Sequence, residues 1–188
     1  MESIDSIIGI QNVLELAFDS RWRQIDAEHW DATLRRREYD ENDEEVDEGS
    51  LLASARLVRV NLNSGQWFES LDAESGDLAE IGAAIDARSI LNELDGDSLF
   101  ADSLLIVESV VVVEAHRGSR LSHAFVRGIA HIFRSDIVAL LPDNMSIGES
   151  GDLIVDVPKL EGLRRHWAAG GFIQVPETEV MILPLGNR

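Results

Sequence analysis

Apolar positions fall along this chain with two different periods, and the changes of period mark its elements. Residues 104–114, LLIVESVVVVE, are apolar on both faces and rich in Val and Ile, which predicts a buried central strand. Residues 121–133 then repeat at helical spacing, with Leu121, Phe125, Ile129, Ile132 and Phe133 as the expected buried stripe. The same spacing predicts helices over 7–18, 26–37 and 77–94, and over 158–169, where Pro158 opens the first turn and Gly170-Gly171 ends the last. Residues 51–62 alternate and are read as a strand. Short strands are expected at 137–141, stopped by Pro142, and at 172–175 and 179–185, with a polar, Gly-bearing loop running from 143 to 157. Strands interleaved with helices make this an α/β (α+β) chain, read as a single domain over 1–188.

Charge narrows the partners. With 16 Lys and Arg against 35 Asp and Glu, the formal charge is −19. Binding nucleic acid needs clustered cations, so that class is excluded. A cationic partner fits: a polyamine, an aminoglycoside-like amine or a basic protein segment. Solubility alone is the plainer account of the same charge. Residues 38–49 hold eight acids and no base, and read as a solvated loop, or else as a mouth that attracts cations. Cysteine is absent, so disulfides, thiol nucleophiles and Cys-ligated metals drop out. No apolar run approaches the roughly 20 residues of a membrane span, so no membrane and a cytoplasmic location are expected. Nothing in the sequence fixes the oligomeric state, and a homodimer is one option.

The chemistry concentrates where the central strand runs into a tight turn, Arg117-Gly118-Ser119-Arg120-Leu121-Ser122, that opens a helix. A strand, turn and helix start aim main-chain N–H groups and the positive end of a helix dipole at one spot, an arrangement suited to phosphate. A second segment, His166-Trp167-Ala168-Ala169-Gly170-Gly171-Phe172, precedes a short strand. Together they resemble the GNAT superfamily of acyl-CoA-dependent N-acetyltransferases. The family signature Q/R-x-x-G-x-G/A is met at Arg117, while Arg120 stands at its first glycine and Ser122 at its final small residue.

The resemblance implies a GNAT-like mixed sheet, splayed between two central strands and flanked by helices. Residues 1–50 would form a helical and acidic acceptor side, and residues 104–185 the cofactor-binding core. Acetyl-CoA would be the co-substrate, with no metal, and an amine the acceptor. Its diphosphate would lie on Arg117, Gly118, Ser119, Arg120, Leu121 and Ser122, and its pantetheine arm along the backbone of Val110, Val111 and Val112. Glu108 would be the general base, its pKa raised by half-burial among aliphatic residues; a strand carboxylate paired with Arg56 or Arg59 is the plain alternative. Trp167 takes the position of the family's Tyr acid, but an indole N–H is too weak an acid for that task, leaving His166, His116 or water to return the proton.

Arg120, Ser122 and Trp167 together favour a second class, a non-catalytic protein of this fold that binds a partner or coenzyme A. A third reading is a fold relative, the acyl-homoserine lactone synthases. It draws on Glu38-Tyr39-Asp40 and Ala53-Ser54-Ala55-Arg56-Leu57, but Glu108-Ser109-Val110-Val111 lacks the Arg those enzymes keep after the strand Glu.

Overall fold

The computed structural model describes residues 12–17, 23–24, 26–36, 49–86, 101–143, 145–147 and 153–185. The acidic segment and the distal part of the helix expected at 77–94 lie outside them. One mixed sheet dominates, with strand order β1 (Asn12–Ala17), β3 (Ala27–Arg36), β4 (Leu51–Asn61), β5 (Ser103–Val112), β6 (Ile137–Leu140), β10 (Met181–Pro184), β9 (Ile173–Gln174). A short β2 (Arg23–Gln24) pairs with β3. Neighbours are antiparallel throughout, except β5 and β6, which are parallel and joined by a helix. The expected α/β class, a mixed sheet flanked by helices, is what the chain adopts.

Strand parity sorts the core into two layers. On one face Ala32, Leu34, Ala55, Leu57, Leu105, Val107, Val138 and Leu140 meet α3 (Leu121–Phe133) and Trp167 of α4 (Val157–Ala169). On the other Val58, Val60, Leu104, Ile106, Ile137 and Ala139 meet α1 (Trp67–Asp72) and α2 (Gly76–Asp86) through Trp67, Leu71, Leu78, Ile81 and Ile85. Leu104, Leu105 and Ile106 have no exposure at all. This explains why the strand is apolar on both sides. In α3 the stripe is Leu121, Phe125, Val126, Ile129 and Ala130; Ile132, expected in it, is 51% exposed, and Phe133 packs at its edge.

Two predicted helices are strands. Residues 27–36 form β3, and 12–17, within the helix expected over 7–18, form β1. The Ala, Leu and Arg of 26–37 are good helix formers, but Trp30, Ala32 and Leu34 lie two apart and pack on the α3 face, and β4 supplies a full-length antiparallel partner. Tertiary pairing overrides local propensity. The loop expected over 143–157 instead contains a small hairpin, β7 (Met145–Ile147) with β8 (Leu153–Val155). No described helix is long and apolar enough to cross a membrane.

Candidate active site

The site begins with an irregularity. On β4, Arg56 lies opposite Ser109 and Leu57 opposite Val107, so Glu108 has no partner and forms a β-bulge. One extra residue reverses parity: Leu105 and Val107 face α3 before it, and Val110 and Val112 face α3 after it. The pairing with β6 ends at the same point, running only from Leu104↔Ile137 to Val107↔Leu140. Beyond that point the two strands part.

The main-chain groups on the open side follow from antiparallel alternation. The Val113 N–H donates to the Leu52 carbonyl at 3.0 Å, which makes 113 and 52 a hydrogen-bonded pair. Val111 therefore directs its N–H and C=O to Ser54 of β4, while Val110 and Val112 direct theirs into the gap. Of the three valines proposed to hold a pantetheine arm, two carry open main-chain groups. The Val112 carbonyl is not bare, because Arg117 Nε donates to it at 3.2 Å.

The base of the gap is latched. Asp136 Oδ2 accepts from the N–H of Asp102 at 3.0 Å, the N–H of Ser103 at 3.1 Å and the Ser103 hydroxyl at 3.0 Å. These bonds tie the start of β5 to the start of β6. The strands are thus clamped at one end and free at the other.

After a single 3₁₀ turn (Glu114–His116), which leaves His116 half-buried, the chain enters the predicted corner. Positive φ falls on Gly118 (77°), and a Cβ there would meet nothing within 4 Å. Arg120, where the sequence resemblance leads one to expect glycine, has φ −82°, so no strain attaches to it. The Ser119 hydroxyl donates to the His116 carbonyl at 2.6 Å and accepts from the Leu121 N–H at 3.3 Å, which commits it to shaping the turn. Leu121 is fully buried and anchors the helix start, while Arg117, Gly118, Ser119 and Arg120 are exposed. The N–H groups of the next residues in the first turn have no intrahelical acceptor.

Glu108 is exposed, not half-buried as the sequence suggested, because the bulge swings it out of the strand's packed rows. It lines a cleft on the α2 side where the strands part, together with Arg56, Asp77, Leu141 and Asp143. Among the described residues no ion pair joins Glu108 to Arg56, and Arg59 pairs with Glu28 at 3.1 Å. Asp77 and Asp143 are invisible in the sequence as site residues, since only the fold brings α2 and the end of β6 to one mouth.

Trp167 is buried, 8% exposed, with its ring 5.2 Å from Phe172 and 5.7 Å from His123. It is part of the core under α3 and α4. Its neighbour His166 shares a 2.8 Å hydrogen bond between Nε2 and the Ser122 hydroxyl, and its ring stacks on His123. Burial holds the His123 imidazole below its ordinary range. The His166 charge lowers it further, a backbone hydrogen bond to His166 raises it, and Arg120 and Arg127 lower it again. Burial also lowers His166. His123 carries no signal in the sequence, because its position in a helix repeat looks like any buried polar residue. Among the described residues no group of three or more His, Asp and Glu could hold a metal ion.

No family model matches the chain, and no curated protein does. Among solved structures, it is similar to a Drosophila melanogaster polyamine N-acetyltransferase that forms N-acetylagmatine, at 13% identity and TM-score 0.38, over 75% of this chain and 73% of that one. An agmatine N-acetyltransferase mutant in its apo form gives 12% identity and TM-score 0.41 over 82% and 74%. Arylalkylamine N-acetyltransferase 2 from Aedes aegypti gives 12% and 0.38 over 82% and 73%. Likenesses this distant leave function to the strand geometry and the side chains.

Proposed function

We propose that this chain is a GNAT-like N-acetyltransferase that moves an acetyl group from acetyl-CoA to a cationic amine. The observation that carries the reading is the bulge at Glu108, where the pairing of β5 with β6 ends and the main-chain groups of Val110 and Val112 face the gap, directly upstream of the turn at Gly118 that opens α3. Acetyl-CoA would bring the activated thioester. Val110 and Val112 would pair with its pantetheine arm once Arg117 leaves the Val112 carbonyl, and the turn at Gly118 with the free N–H groups at the start of α3 would take the diphosphate. Open space around Gly118 suits a close approach of ligand to backbone. Glu108, at the mouth, accepts the ammonium proton before attack, and a main-chain N–H of the open stretch faces the developing oxyanion; as the C–N bond forms the C–S bond breaks, and coenzyme A leaves as a thiolate that water protonates. Asp77 and Asp143 beside it give the mouth the sign that draws a cationic acceptor. Trp167 packs and moves no proton.

The buried Trp167 also favours a second reading, a protein that keeps coenzyme A without turnover. Calorimetric titration with acetyl-CoA, followed by thioester consumption over a panel of di- and polyamines, separates the two. Binding with turnover supports the enzyme; binding without it supports the second reading; no binding overturns both. Gly118→Val, which forces a β-branched residue into positive φ, is expected to abolish acetyl-CoA binding. Unchanged affinity in that variant removes the turn from the site.

A further inference from the structure

The junction between the last turn of α4 and the first turn of α3 is built from two histidines, His123 and His166, whose contacts with each other the proposed reaction does not use. The His123 and His166 rings stack with centroids 4.2 Å apart and planes 33° from parallel. His123 is only 9% exposed, and among the described residues its Nε2 has no hydrogen-bond partner. A Cβ on Gly170 would come within 2.8 Å of the His123 ring, so the glycine lets backbone close down on the imidazole. Arg127 locks that backbone by donating to the Gly170 carbonyl at 2.7 Å. On the other side His166 is tied to Ser122 at 2.8 Å, inside the turn that opens α3.

Among the described residues the charged groups acting on His123 are all cationic: Arg120 from the turn, Arg127 from α3, and His166 from α4 when protonated. Trp167 and residues 170–172 bring no charge to the junction. A neutral pair is well housed there. A protonated one places a buried N–H against no acceptor and a cation among cations.

We propose that the His123–His166 pair is an acid-released clasp that fixes the Arg120–Ser122 end of the turn to α4, so that the grip on coenzyme A loosens below neutrality. The clasp stands on the stacked rings, the His166–Ser122 bond and the burial that disfavours protonation of the pair; its effect on coenzyme A rests on the acetyltransferase reading. Because both rings are held below the ordinary value of 6.5, the unfolded chain takes up these protons first. The clasp's stabilisation is full above that value, declines as pH falls through it, and levels off below the folded-state pKa.

Thermal unfolding of the full chain, followed from about pH 8 to about pH 5, tests the clasp by comparing wild type with His123→Phe and His166→Gln, neither of which titrates at the altered position. Carboxylates titrate alike in all three, so their contribution cancels. The wild-type midpoint is expected to fall further with acid than that of either variant; parallel curves overturn the clasp, and if one variant does not fold the other decides. Coenzyme A titration over the same range is expected to show wild-type affinity falling about tenfold more than that of His123→Phe, an ordinary strength of coupling between two sites. Divergent melting with equal losses of affinity overturns the link to the turn. No coenzyme A binding at any pH counts against the acetyltransferase reading and leaves the melting curves to judge the clasp.

Discussion

Residues 104–107 of β5 are matched one for one with β6, buried on both faces, and latched at their start by Asp136. Residues 109–112 belong to the same strand and keep the same partner in β4, but on the other side they face a gap. One half builds the core and the other displays backbone. The difference does not come from composition, since both halves are mostly Val, Ile and Leu. It comes from one unmatched residue. Apolar character decides that a strand is formed; register decides which of its hydrogen-bonding groups are left for a ligand.

Four substitutions sharpen the contrast. Leu105→Ala strikes the closed half where exposure is nil, and about 2–5 kcal/mol of stability is expected to be lost, read as a lowered urea midpoint. Glu108→Gln strikes the boundary: turnover of acetyl-CoA with amine is expected to fall by about 100-fold while cofactor affinity holds, as befits a general base. A variant as fast as wild type withdraws Glu108 from the chemistry. Asp136→Ala removes the acceptor of three hydrogen bonds at the latch and should cost about 1–3 kcal/mol, with acetyl-CoA affinity falling as the gap loses its fixed base. Val111→Ser, in the open half, changes a side chain that is 57% exposed on a residue whose main-chain groups face β4. It is expected to stay within about 0.5 kcal/mol in stability and to leave affinity unchanged. A large loss there would mean that the valine side chains, not the backbone, hold the ligand.

The strongly periodic stretches are legible from the order of residues alone. The β5 strand, the α3 helix and the corner between them lie within one local segment whose pattern matches its tertiary surroundings. Residues 27–36 are not legible as a strand. Their partner lies beyond the acidic segment, and Ala, Leu and Arg carry a helical preference that only pairing with β4 overcomes. The bulge is equally hidden, because Glu108 announces itself as a polar break in an apolar run but not as a residue without a partner. Site features built across long separations escape altogether. Asp136 acts 33 residues from Ser103, and Ser122 meets His166 across 44. Neither pair shares a local pattern that could reveal it.

The contact between Arg117 and the Val112 carbonyl has a consequence for the chain when no ligand is bound. An unzipped strand in the middle of a sheet is an adhesive edge, and such edges invite pairing with a second molecule and, from there, aggregation. A kink at Glu108 shortens the flat stretch available to a stranger, and the guanidinium shields one of the sticky carbonyls with a charge that no neighbouring strand can match. The vulnerability that makes room for a ligand is thereby guarded by the same residues that border it.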